Sequence, residues 1–205
     1  MMISTLERTV LCKAFFTRED VLQIARDLLG KVLVTNFNRK ITSGVIVETE
    51  AYAGVTDKAS HAYSCRNTPR TAVMFGEGGV AYVYLCYGIH SLFNVVTNIS
   101  GVPHAVLIRG IKPIDGIPVM LSRSGKNKRD KNFGNGPGKV SKILGIHYSH
   151  TGKSLLKKDV NDQINVWLED RGIKIPSGSI ISTPRIGVDY AGEDARLPYR
   201  FFYRQ

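Results

Sequence analysis

From Gly44 to Tyr52 the residues alternate: Val45, Val47, Thr49 and Ala51 fall on one parity, and Ile46, Glu48, Glu50 and Tyr52 on the other. Successive side chains of a strand point to opposite faces, so the pattern predicts a strand with one mostly apolar face. The other face mixes an aliphatic side chain, two carboxylates and an aromatic ring. Upstream, Val21, Ile24, Ala25, Leu28 and Leu29 recur at helical spacing; Thr17 and Asp20 read as a capping box before them, and Gly30 ends the helix. Residues 31–37 read as a strand, 38–43 as a turn and 44–53 as the returning strand of a hairpin. Residues 57–63 suit a short helix carrying His61, and 66–79 a loop. The β-prone aromatic run 81–87 turns at 88–91 and returns over 92–97, while 105–111 is a strand with Arg109 embedded in it. Helices suit 114–122 and 137–145, the second with Pro137 near its first turn, and short strands fall near 165–169, 182–188 and 200–203.

Strands outnumber helices and most connections are of hairpin length. The prediction is an α+β fold: one domain over residues 1–205, with a mixed, mostly antiparallel sheet, flanking helices and a protruding β-hairpin. Residues 1–15 read as a lead-in segment. The 43% hydrophobic content suffices for a substantial core. No apolar run approaches the roughly 18 residues of a membrane span, and the N-terminus lacks a signal-peptide layout. Cys12, Cys65 and Cys86 are odd in number and show no paired spacing, which argues against a disulfide framework or a structural zinc site. A cytoplasmic protein with reduced thiols, no metal and no cofactor is expected.

Charge adds a partner. The formal net charge is +11, which favours a polyanion, nucleic acid above all. Residues 121–160 hold ten cations, Lys157 and Lys158 among them, against Asp130 and Asp159. The stretch Lys126–Lys131 alone reads as a solvated loop. It leads, however, into Gly136-Pro137-Gly138-Lys139, which sets small residues and backbone N–H groups at a helix start beside a cation, a suitable seat for phosphate.

The candidate chemistry centres on Glu50. A lone Glu on a strand usually faces solvent, but Tyr52 shares its face, and Arg109 lies in an apolar strand where a cation needs an anion. A carboxylate so placed can orient a water and stabilise a developing cation. Glu48 lies two residues away, roughly 6.5–7 Å along a strand, a separation that also suits an inverting glycosidase pair. Tyr82 reads as core. Tyr87, at a tight hairpin tip, has little core to enter and reads as a surface residue or a wedge between stacked bases. Tyr52, Tyr84 and His61 can wall a base-sized slot, and Asn94 can read a base edge. His61 has no partner at metal-ligand spacing. Three readings stand at this point: a DNA-acting enzyme, a nucleic-acid-binding module whose aromatics stack bases, and a carbohydrate hydrolase using Glu48 and Glu50, which the charge disfavours.

The runs LLGKVLV, IVETEAYAG, DKASHAY, NTPRTAVMF, AYVYLCYGIH, FNVV, AVLIRGIKP, GPGK and RIGVDYAGEDA together resemble the alkyladenine (3-methyladenine, or methylpurine) DNA glycosylase family, in its order and with similar spacing, from about Phe16 to Tyr203. The resemblance implies a monomeric, monofunctional enzyme of base excision repair acting on double-stranded DNA that contains alkylated or deaminated purines. 3-Methyladenine, 7-methylguanine, hypoxanthine and ethenoadenine form that class. It implies Glu50 as the base that activates water, Arg109 and the Ile186 backbone as holders of that water, and Tyr52, His61 and Tyr84 as groups that stack on and hydrogen-bond the flipped base. Asn94 is implied to exclude the amino group of guanine and Tyr87 to fill the vacated stack; Gly136 and Lys139, as the phosphate seat, are expected to meet the DNA backbone. Cation–π attraction is expected to help select positively charged, alkylated purines. Two positions depart from the family pattern: His90, where an aromatic or Met-like residue is expected, and Ile186, bulkier than Val.

Overall fold

The structure, a computed structural model, describes residues 8–156 and 163–203. Lys157, Lys158, Asp159 and the first seven residues of the lead-in segment lie outside the described residues. The strands are β1 (Thr9–Val10), β2 (Val32–Phe37), β3 (Lys40–Tyr52), β4 (Ala81–Cys86), β5 (His90–Thr97), β6 (His104–Asp115), β7 (Ile164–Asp170), β8 (Ile180–Thr183) and β9 (Arg200–Tyr203). The α-helices are α1 (Lys13–Phe16), α2 (Val21–Asp27), α3 (Ile117–Ser124) and α4 (Pro137–Leu144). One curled sheet runs in the order β1-β7-β2-β3-β6-β5-β4, with β9 pairing both β3 and β8. The α+β expectation holds, and every described pairing is antiparallel, so the sheet is not mixed.

β3 is the spine of the fold. One edge carries β2 along Lys40–Val45 and then β9 at Glu48–Glu50, while β6 follows the other edge. The β3–β6 register jumps between Ile46 and Thr49: Ile46 faces Ile111, Glu48 faces Gly110 and Thr49 faces Ile108, so Val47 and Arg109 are the extra residues of a bulge. A bulge resets the alternation of a strand. Ile46 and Ala51, of opposite parity, therefore enter the same main core, and the Thr49 hydroxyl reaches the Ala25 carbonyl of α2 at 2.9 Å. Simple alternation put Ile46 with Glu50 and Tyr52; the bulge separates them. Gly110 is tight here, since a Cβ would sit 3.1 Å from the Glu48 Cβ.

The core joins Phe16, Ile24, Leu28, Phe93, Ile108 and Phe201, all fully buried, each contributing about 1.5–3 kcal/mol on burial. Asp20 caps α2, its Oδ1 accepting from the Leu22 and Gln23 amides at 2.8 and 2.9 Å. Thr17 instead closes α1, so the predicted capping box is a single-residue cap. The hairpin after β2 turns on Asn38 and Arg39 alone, both left-handed at φ 53° and 61°, the twist a two-residue connection requires. β3 consequently starts at Lys40, earlier than expected.

Two further expectations change. Residues 57–62 form successive turns, followed by a 3-10 turn at Tyr63–Cys65, and no α-helix, because the Asp57 carboxylate accepts from the Ala53 and Ala59 amides and bends the backbone locally. The strand expected over 182–188 ends at Thr183, before Pro184, which has no N–H for the ladder. The segment that follows is freed from the sheet and reaches the site. No described helix is long and apolar enough to cross a membrane.

Candidate active site

Between the β4–β5 hairpin, the β3–β6 pair and the segments near 57–61 and 185–190 lies a cavity of about 200 Å³. Tyr52, His61, Tyr84, Asn94, Arg109 and Ile186 all line it, with Tyr87 at its rim. A larger cavity of about 730 Å³ adjoins it, sharing Arg109 and Ile186 and lined by Lys112, Arg129, Lys131 and Arg200. Size does not choose between them. The smaller one holds the aromatic walls, and three of its lining residues, Tyr52, Arg109 and Ile186, contact the fully buried Glu50 carboxylate.

Glu50 is 0% exposed and sits behind the wall made by Tyr52, Arg109 and Ile186. Its Oε1 accepts from the Ile186 amide at 2.8 Å and lies 3.4 Å from Arg109 Nε, while Oε2 accepts from the Tyr52 hydroxyl at 2.9 Å. Burial raises its pKa above the ordinary carboxylate value, and Arg109, the Ile186 amide and the Tyr52 hydroxyl pull the other way. The result is a carboxylate held in one orientation with its basicity increased. The Ile186 backbone, implied by the resemblance as a holder of the water, places its amide on Glu50. Glu48 accepts from Arg109 Nε and Arg200 Nη1, each at 3.1 Å. Both carboxylates thus share the Arg109 guanidinium. They do not oppose each other across a gap, and the paired-carboxylate glycosidase geometry is absent.

The aromatic wall is rigid. His61 Nδ1 is 2.8 Å from the Tyr82 hydroxyl, and its ring meets Tyr84 edge-on at 4.6 Å. Burial, with Arg70 and Arg66 nearby, lowers the His61 pKa to about 4, so the imidazole is neutral near pH 7. Tyr82 is buried as core, yet its hydroxyl fixes the His61 ring, a role that its apolar neighbours in sequence conceal. Asn94 is 3% exposed and donates its amide nitrogen to the Tyr82 and Leu92 carbonyls at 3.1 and 3.3 Å. That commitment leaves the side-chain oxygen as the unengaged end of the amide.

Arg185 and Asp57 form the part of the site that sequence reasoning missed. Arg185 is buried, donates Nη1 to Asp57 Oδ2 at 2.5 Å and Nη2 to Oδ1 at 2.8 Å, and also reaches the Ala51 carbonyl at 2.9 Å. Its guanidinium lies over the Tyr52 ring at 4.8 Å. Tyr190 donates to the Ala59 carbonyl at 3.0 Å, and Lys58 pairs with Glu193 at 2.8 Å. These contacts strap the 185–196 segment to the turn at 57–60 and so bring the Ile186 amide onto Glu50. Each residue opens a motif, DKASHAY or RIGVDYAGEDA, but nothing in a single sequence pairs positions so far apart.

On the outer side, Tyr87 is 91% exposed at a left-handed φ of 50°, followed by Gly88 at φ 73° and Ile89 at 73% exposure. Gly136 has φ 104° and donates its N–H to the Arg109 carbonyl at 2.9 Å, so that donor holds β6 and is not free for an anion. Lys139 is exposed. His90 packs on the α4 start, where a Cβ at Gly138 would lie 3.1 Å from its ring. Among the described residues no cluster of three or more potential metal ligands occurs.

A family model described as methylpurine-DNA glycosylase matches residues 14–205. A protein of Chlamydia felis (strain Fe/C-56), provisionally named a 3-methyladenine DNA glycosylase, is 48% identical over 193 residues, covering 94% of this chain and 95% of its own. Relatives under the same provisional name come from Chlamydia pneumoniae, 45% identical over 91% of each chain, and from Bacillus cereus (strain B4264), 44% identical over 92% of this chain and 93% of its own. With its carboxylate, its aromatic cavity and this full-length similarity, the chain belongs to the methylpurine-DNA glycosylase family.

Proposed function

We propose that the chain releases damaged purines from duplex DNA by directing a water, activated by Glu50, at the sugar C1′ of a nucleotide swung into the aromatic cavity. Membership of the family makes it a hydrolytic DNA N-glycosylase of the 3-methyladenine type. The observation that carries the finer reading is a fully buried carboxylate, oriented by Ile186, Tyr52 and Arg109, directly behind an aromatic cavity. About 200 Å³ is below the roughly 300–1,000 Å³ of sites for drug-sized ligands and suits one planar ring system.

In this reading the purine stacks among Tyr52, His61 and Tyr84, and the neutral imidazole offers Nε2 to its edge, since Nδ1 is engaged with Tyr82. The Asn94 oxygen meets the ring edge. Water enters between Tyr52, Arg109 and Ile186, gives its proton to Glu50 as the N-glycosidic bond breaks, and the carboxylate offsets the positive charge that develops on the sugar. Arg109 keeps Glu50 ionised and limits its basicity. Tyr87, with almost no intramolecular packing, fills the vacated stack, and the basic groove beside Arg109 receives the phosphate backbone. The test is a set of duplexes, each with one lesion, scored for free base under single-turnover conditions. Release of none of the class defeats the reading and favours a binding module.

Two expectations follow. Glu50 works only when ionised and its pKa is raised. The acid limb of base release from a hypoxanthine duplex should therefore have its midpoint above 4.5, the ordinary Glu value. His61, at about 4, should add no step between roughly pH 5 and 8, the range where an unperturbed His titrates. A rate that stays flat down to pH 4.5 contradicts the role of Glu50. For Tyr87→Ser, affinity for an abasic duplex should fall by about 1–3 kcal/mol, the worth of one stacked ring. Because the side chain is 91% exposed, unfolding should shift by less than about 0.5 kcal/mol. Unchanged affinity in a filter-binding titration counts against the wedge.

A further inference from the structure

Arg70 stands just outside the aromatic cavity. Its guanidinium carbon lies 4.9 Å from the centroid of the Tyr84 ring. It does not line the 200 Å³ cavity but the neighbouring one of about 400 Å³, which shares Ser60, His61 and Tyr190 with it. Tyr84 thus lines the cavity, while the cation over its ring does not. Tyr52 is arranged likewise, with Arg185 at 4.8 Å, but Asp57 neutralises that guanidinium through two contacts. The other charges around the cavity are also matched: Glu50 faces Arg109, and Glu48 lies between Arg109 and Arg200. Among the described residues no carboxylate forms an ion pair with Arg70. Its neighbour Arg66 adds a second positive charge near His61.

We propose that Arg70 is a specificity-determining residue that biases the cavity toward uncharged purines, the deaminated kind, over purines that carry a formal positive charge after alkylation on a ring nitrogen. The inference rests on the cavity being a base-binding site. An aromatic ring attracts a cation through its negative face. When a guanidinium already sits on the outer face, a second cation on the inner face meets that like charge across the thickness of one ring. Tyr84 is then an ordinary stacking surface for a neutral base and a weakened one for a cationic base. The lowered pKa of His61, for which Arg70 and Arg66 are causes after burial, reports the same local disfavour for positive charge. The cation–π attraction expected for alkylated purines is thus partly cancelled by the protein's own arginine.

The experiment compares single-turnover release from a 7-methylguanine duplex and a hypoxanthine duplex by the wild type, R70Q and R70K. The ratio of the two rates cancels any loss of active protein in a variant. R70Q should raise the 7-methylguanine to hypoxanthine ratio by about 2- to 10-fold, the modest end of the cation–π range because Arg70 is exposed. R70K, which keeps the charge, should retain a ratio close to the wild-type one, and the R70Q shift should shrink as salt screens the exposed guanidinium. An unchanged or lowered ratio in R70Q overturns the proposal, as does a shift in R70K equal to that in R70Q, which would assign the effect to shape. Absence of release from both duplexes by the wild type would instead overturn the proposed function.

Discussion

Replacing Glu50 with Gln should cut single-turnover base release by about 10²–10⁴-fold, the usual contribution of a positioned acid or base, while leaving affinity for an abasic duplex intact. The Gln carbonyl can still accept from the Ile186 amide, and its amide nitrogen can donate to the Tyr52 oxygen, so the wall keeps its shape. Stability should not fall, and the sign is informative. Burial raises the Glu50 pKa in the folded protein; stability from such a group is present below the unfolded value and lost as pH rises through the folded one. At pH 7 the ionised carboxylate therefore costs stability, and the neutral Gln removes that cost. E50Q should unfold at an equal or higher denaturant concentration than the wild type. Base release by E50Q at the wild-type rate would remove Glu50 from the chemistry. A large loss of stability would show that Arg109, the Ile186 amide and the Tyr52 hydroxyl outweigh the burial of the charge.

The second large effect is structural. Asp57→Ala leaves the buried Arg185 guanidinium without its anion, and breaking such a pair by removing one partner costs about 3–5 kcal/mol. Urea unfolding should show a lower midpoint with an unchanged m-value. The same substitution removes the buried contact among those that strap the 185–196 segment to the turn at 57–60, so the Ile186 amide should shift on Glu50 and base release should drop with it. Asp57→Asn, which keeps one acceptor for the guanidinium, should fall between the two. A D57A midpoint matching the wild type would show that Arg185 finds other compensation.

The sequence carried the local elements well where local chemistry decides them. β4, β9, α4 and the β2–β3 hairpin follow from β-prone runs, a proline at a helix start and a short turn. Glu50, Tyr52 and Arg109 stand out from strand alternation and an embedded cation, Ile186 from the family resemblance, and they meet in one place. Three features were not legible. The bulge at Val47 and Arg109 depends on both strands at once, and neither run alone departs from simple alternation. The turns at 57–63 look helical because the Asp57 side chain, which reorganises them, takes its partners from the backbone on either side and from Arg185. The lowered pKa of His61 in the cavity wall depends on burial and on Arg70 and Arg66 lying nearby, a matter of tertiary placement that spacing cannot disclose.

The bulge in β3 has a consequence for how this protein can vary. It acts like a frameshift in the pleat, because the side-chain phase before it serves the hydrophobic interior and the phase after it serves the catalytic wall. Point replacements within 46–50 perturb one contact at a time. Losing or gaining a single residue between Glu48 and Glu50, with the bulge kept at Val47, would rotate Glu50 and Tyr52 into the oily interior together and carry Ala51 outward. Chain length through this stretch is therefore under stricter constraint than the identity of most of its side chains.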